Sequence, residues 1–144
     1  MSTMHLFYPV FVQVLLVFCV LMVLGRARVE ALRESRISPE TRDVALGTFK
    51  WSDAAKRASN NFSNQFELPV LFYAAVAMAL LLKQVDAVTV TLAWAFVVSR
   101  LVHAIIHIGP NVVRWRFAVY ALGALCLLAL WCVLAWRVAG GAVA

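Results

Sequence analysis

Arg100, His103 and His107 stand three and four residues apart in "SRLVHAIIHIGPN". At about 100° per residue they share one narrow helical stripe with Asn111. A guanidinium, two imidazoles and an amide on one face can hold an anion. A second polar face lies in "RASNNFSNQFELP", where Arg57, Asn60, Asn61, Asn64 and Glu67 face away from Phe62 and Phe66. A third group is Arg116 with Tyr120, one turn apart in "VRWRFAVY", and Arg26 closes the first apolar run. Imidazoles at i,i+4 can chelate a metal on a helix. No cysteine or second carboxylate accompanies this pair, so no metal is expected.

These groups need elements to carry them, and the composition says which. The chain has 144 residues, 64% hydrophobic and 14% charged, with a mean hydropathy of +0.87. Soluble domains are about 45–50% apolar and about 25% charged. A membrane span needs about 20 mostly apolar residues. Four segments qualify: 6–25, 62–82, 87–109 and 117–136. A lone segment satisfies its backbone in lipid only as a helix. The expected fold is therefore an all-α membrane protein, a single up-down four-helix bundle over residues 1–144. The short "KQVDA" link makes the second and third spans a tight antiparallel hairpin. Cys19, Cys126 and Cys132 lie in apolar spans without metal spacing and read as small core or lipid-facing residues.

The first apolar segment lacks a basic leader and a small-x-small cleavage site, so it reads as a retained span. Eight basic residues, from Arg26 to Arg57, crowd the connection after it, centred on a 26–56 loop. The link after span two holds one lysine, and the link after span three holds two arginines. The positive-inside rule puts loops one and three in the cytoplasm and both termini outside. In a bacterial inner membrane those termini are periplasmic. The net charge of +6 thus reports topology, and the acids interspersed in the loop argue against a nucleic-acid partner. "RARVEALRESR" reads as a helical extension beyond the membrane, and "SPE" at Ser38–Glu40 as the start of a short helical turn.

All the polar groups then meet at one depth on the loop side. Glu67 lies roughly 15 Å along its helix from Arg57, and Arg100 about 13 Å inward from Gly109. The two are level, which predicts a Glu67–Arg100 ion pair. Each feature also has a plainer reading. The pair can be purely structural, and the asparagines can serve only as interhelical hydrogen-bond glue. Arg114 and Arg116 can be interfacial anchors, Trp131 and Trp136 an outer aromatic belt, and Pro69 a simple kink. Convergence of every polar face favours a pocket. It suits a small anionic ligand from the aqueous side and a lipophilic second substrate from the bilayer.

The residues carry a resemblance at this point. "RLVHAIIHIGPNVVRWRFAVY" resembles the motif of the family of membrane-associated proteins in eicosanoid and glutathione metabolism. There an arginine, a histidine, a polar or aromatic residue, a second arginine and a tyrosine match Arg100, His103, His107, Arg116 and Tyr120. Arg57 and Asn61 fit the span-two motif, and Arg26 fits the arginine at the end of span one. Asn64 stands where the family has glutamate, with Glu67 three residues later. Phe117 replaces a small hydroxyl residue of some members, and His107 a common tyrosine. The resemblance implies a homotrimer with glutathione as co-substrate between subunits, held by Arg26, Arg57, Asn61, Asn64, Glu67, Arg100, His103 and His107. It further implies Arg116 and Tyr120 as the groups at the thiol. Glutathione transfer or peroxide reduction on lipophilic electrophiles follows. The alternative is a non-catalytic lipid-binding or scaffold protein of the same fold.

Overall fold

The computed structural model describes residues 2–140. They form α1 (Met4–Ser35), the one-turn α2 (Arg42–Ala45), α3 (Asp53–Ser63), a 3₁₀ turn (Asn64–Phe66), α4 (Leu68–Leu81), α5 (Ala87–Ile108) and α6 (Val113–Ala139). No strand occurs among the described residues. Four helical runs are long and apolar enough to cross a membrane, with α3, the 3₁₀ turn and α4 together making the second.

The helices outrun the apolar segments. The charged "RARVEALRES" continues α1 for nearly three turns, until Arg36 adopts a left-handed conformation at φ 53°. The Arg36 and Ile37 N–H groups then return to the carbonyls of Arg33 and Leu32, which satisfies the helix end. Ser38 behaves differently from expectation. Its hydroxyl accepts from the Glu40 N–H in a turn, and the helical turn begins only at Arg42. Ser52 caps α3 by accepting from the Ala55 N–H at 3.3 Å.

The second span is broken rather than kinked. Continuing an α-helix through Pro69 would drive its ring against the carbonyl four residues back and leave that carbonyl without a donor. The chain instead tightens into the 3₁₀ turn, passes Glu67 at ψ −102°, and restarts as α4 with Pro69 in its first turn. Buried amides brace the break. Gln13 Nε2 on α1 donates to Gln65 Oε1 at 3.0 Å. Gln65 Nε2 donates to the backbone and side-chain oxygens of Asn61, and Asn61 Nδ2 to the Ala104 carbonyl. Gln13→Leu leaves the Gln65 oxygen without this donor and is expected to cost about 1–3 kcal/mol. The double replacement with Gln65→Leu should return part of that loss when both are unfolded in mixed micelles. A single variant as stable as the parent would remove the bracing role.

Apolar packing orders the helices. Phe72 of α4 stacks on Phe96 of α5 at 4.8 Å within a core completed by Leu127, Leu130 and Leu134 of α6. Leu16, Val20 and Ala104 join α1 to α5. Although α4 and α5 share a five-residue link, α5 packs chiefly along α6, and the expected tight α4–α5 hairpin is a minor contact. Gly123 permits the α5–α6 approach, since a Cβ there would collide with Ser99 Oγ.

The hairpin end is tied by charge. Asp86 caps α5 in a reciprocal box with Thr89, and Arg137 of α6 donates to Asp86 and to Gln84 Oε1. Burial alone would raise the Asp86 carboxyl, but the Thr89 N–H, the Arg137 guanidinium and the Thr89 hydroxyl hold it below its ordinary value. A depressed carboxylate contributes stability that is present above its unfolded-state pKa and lost as pH falls through the folded one. The thermal midpoint of the parent should therefore drop on acidification more than that of Asp86→Asn. Parallel pH profiles would show that the clamp adds nothing.

Candidate functional site

The break in the second span creates the site. Unwinding at Asn64–Phe66 leaves the Asn64 carbonyl to accept from Arg100 Nη2 at 3.1 Å. The Asn64 side chain faces α5, where its Nδ2 lies 3.4 Å from His103 Nε2 and 3.5 Å from His107 Nδ1. His103 Nδ1 is 3.1 Å from the Arg116 carbonyl, which can only accept. Nδ1 therefore carries the hydrogen, and Nε2 of the neutral ring accepts from Asn64. The second Asn64 N–H goes to His107 Nδ1, which assigns its ring hydrogen to Nε2. One amide thus sets the tautomers of two imidazoles, whose rings meet edge-on at 5.5 Å.

Arg116 is oriented from the connection before α6. Asn111 adopts φ 50°, and its Oδ1 accepts from Arg116 Nη1 at 2.7 Å. The stripe from Arg100 to Asn111 predicted from sequence ends here in a left-handed residue that positions the arginine. Tyr120, one turn on, lies 5.6 Å ring to ring from His103, and its face receives the Arg100 guanidinium at 5.6 Å.

These side chains line a cavity of about 450 Å³. Its walls are Asn60, Ser63, Asn64 and Glu67 on the second span, His103 and His107 on α5, and Val113, Arg116, Phe117 and Tyr120 on α6. Six of the ten expected site residues therefore face one space. Asn61 and Arg100 are buried beside it. Arg57 does not line it, and its Nε is buried without a protein partner. Arg26 is on the exposed side of α1, in a separate groove with Leu21, Met22 and Arg33. Ser63 was missed by sequence reasoning, although its spacing from Asn60 and Glu67 puts it on the same helical face.

The expected Glu67–Arg100 ion pair does not form. Glu67 is exposed at the rim, and the ion pairs among the described residues are Lys56–Asp53 and Arg137–Asp86. Axial level is necessary for such a pair but not sufficient: Glu67 lines the cavity with His103 and His107, while Arg100 is buried beside it and donates to the Asn64 carbonyl. Arg100, fully buried, keeps Nε and Nη1 without protein acceptors. Glu67→Ala should consequently shift unfolding stability by no more than about 0.5 kcal/mol, as at an exposed surface site. A loss of several kcal/mol in mixed micelles would restore the ion pair. Among the described residues no group of three or more His, Cys, Asp and Glu is arranged to hold a metal ion.

Four apolar helices around a polar cavity at the basic-loop end define a multi-pass integral membrane protein. The chain belongs to the MAPEG family, whose model matches residues 6–136. It is thus a membrane protein of the family concerned with glutathione and eicosanoid metabolism. No curated protein and no solved structure matches it.

Proposed function

We propose that the protein is a membrane thiol transferase or peroxidase that uses glutathione against lipophilic electrophiles. The observation that carries this reading is the shared cavity wall, in which Arg116 and Tyr120 stand beside two neutral imidazoles and an amide, with Phe117 and Val113 as apolar neighbours. A thiol of pKa about 8.5 is mostly protonated at neutral pH, and a nearby cation favours its reactive thiolate. Arg116 has one arm held by Asn111 and supplies that charge. The thiol proton leaves to water. The thiolate sulfur forms a bond to the electrophilic carbon, and the leaving group departs with its electron pair. With a lipid hydroperoxide the sulfur instead attacks the terminal oxygen, the O–O bond breaks and the alcohol leaves after taking up a proton. A second glutathione thiol then displaces water from the sulfenic acid to form the disulfide.

Asn64, His103, His107 and Glu67 would contact the peptide part of glutathione, with Asn61 and Arg100 supporting them from behind. Arg57 and Arg26 reach this ligand only with help from a neighbouring subunit, and a homotrimer supplies that neighbour. The site opens at the end carrying the basic loop, which the charge distribution assigns to the cytoplasm, with the termini across the membrane and, in a bacterium, periplasmic.

The test is the thermal midpoint of the detergent-solubilised protein with glutathione, S-alkyl glutathione and unrelated low-molecular-weight thiols. A ligand at 100 times its Kd stabilises the native state by about 2.7 kcal/mol. Glutathione and its S-alkyl derivative should both raise the midpoint. Equal indifference to all of them would sink the transferase reading and favour a lipid-binding protein of the same fold.

A further inference from the structure

A second polar concavity lies at the junction of α1 and α3. It encloses about 240 Å³ between Arg28 on one side and Trp51, Ala55, Lys56, Ser59 and Asn60 on the other. The Arg28 guanidinium stacks over the Trp51 ring at 5.2 Å, and Trp51 is itself braced edge-on by Phe49 at 4.9 Å. We propose that this concavity binds the phosphate of an anionic membrane phospholipid, held between Arg28 and Lys56.

Three observations lead there. The first is depth. Arg28 lies three residues past Gly25, where the first apolar run ends, or roughly 4.5 Å along the helix axis. Ser59 and Lys56 lie three and six residues before Phe62, where the second begins, or about 4.5 and 9 Å. Arg28 and Ser59 fall within a headgroup layer of roughly 5–7 Å on each side of the hydrocarbon core, and Lys56 starts just beyond it on a side chain long enough to reach back. The second is chemistry. The cation–π contact with the indole holds the guanidinium at the mouth of the concavity, and a guanidinium can offer two N–H groups to two oxygens of one phosphate. Lys56 adds a point charge, and Ser59 and Asn60 add neutral donors. Asp53 sits 3.6 Å from Lys56, but both are exposed, so the pair is weak and leaves the ammonium available. The third is the aromatic wall, since tryptophan favours the membrane–water interface. A phosphate there keeps its acyl chains against Val14, Phe18 and Leu21, which are exposed on the stripe of α1 that ends at Arg28. This site adjoins the thiol cavity and shares only Asn60 with it; Arg28 and Lys56 lie outside that cavity, so the site stands whether or not thiol transfer occurs.

The test is native mass spectrometry of the whole chain released from micelles holding equal amounts of phosphatidylglycerol and phosphatidylcholine. The parent should retain phosphatidylglycerol in preference. Arg28→Gln with Lys56→Gln should bind it about thirtyfold more weakly, given the usual contribution of each basic residue at a membrane surface. The charge-matched loop variant Arg36→Gln with Arg42→Gln should bind like the parent. Should the double variant fail to fold, Lys56→Gln alone changes one exposed side chain and should lose about fivefold. Soluble glycerol phosphate at millimolar concentration should not displace the lipid. Equal retention of the two lipids, equal loss in the loop variant, or full displacement by glycerol phosphate would each overturn the proposal.

Discussion

Arg116→Ala is expected to lower glutathione transfer to a halo-nitrobenzene by about 10²–10³-fold, the usual cost of removing one group that stabilises a developing anion. The fold should survive, because the side chain is half-buried and its one protein partner, Asn111, is a connection residue. The loss should appear together with a weaker thiolate absorbance (roughly 240 nm) in the glutathione complex, since both report the ionised sulfur. Arg116→Lys should recover only part, because an ammonium cannot keep the Asn111 contact and face the sulfur in the same fork geometry. Tyr120→Phe should be milder, as it removes a hydroxyl and leaves the charge. Normal turnover in the alanine variant would remove Arg116 from the chemistry. Binding of glutathione by the parent with neither thiolate nor turnover would make the cavity a ligand clamp.

Asn64→Leu should be the most damaging single change outside Arg116. It removes the donor shared by two buried imidazoles and leaves the His103 and His107 nitrogens without it, at about 1–3 kcal/mol for each stranded group. A combined loss of about 2–6 kcal/mol in mixed-micelle unfolding is expected, along with weaker glutathione binding. The Arg100 bond to the Asn64 carbonyl should persist, because it uses the backbone and depends on the break rather than on the side chain. An unchanged unfolding free energy would show that the amide does not bridge the two rings.

Four membrane-length helices were legible because span length depends on apolar composition alone, which neighbours do not alter. The stripe of Arg100, His103 and His107 was legible for the same reason: α5 is unbroken, so 100° per residue places its side chains correctly. The second span was different. Pro69 signalled a disturbance, but whether a proline kinks or breaks a helix depends on what braces the freed carbonyls. Here the braces are Arg100 and the Gln13–Gln65–Asn61 amides from distant parts of the chain. Without them, helical extrapolation placed Glu67 correctly in the cavity wall but set it level with Arg100 and produced an ion pair that is absent. Gln13 drew no notice as one amide in a long apolar run. Asp86 and Arg137 meet only after the bundle closes, 51 residues apart.

The break also bears on how the chain enters the bilayer. α4 has 14 residues, about 21 Å of helix at 1.5 Å per residue. That falls short of a hydrocarbon core of about 30 Å. Any window of about 19 residues read by the insertion machinery must take in part of the polar run before it or of the link after it. The second segment is therefore the poorest insertion signal of the four. Its commitment to the membrane during synthesis is expected to gain from α5, whose 22 residues span about 33 Å. The same unwound turn that opens a cavity in the finished protein thus weakens this crossing as a separate insertion signal.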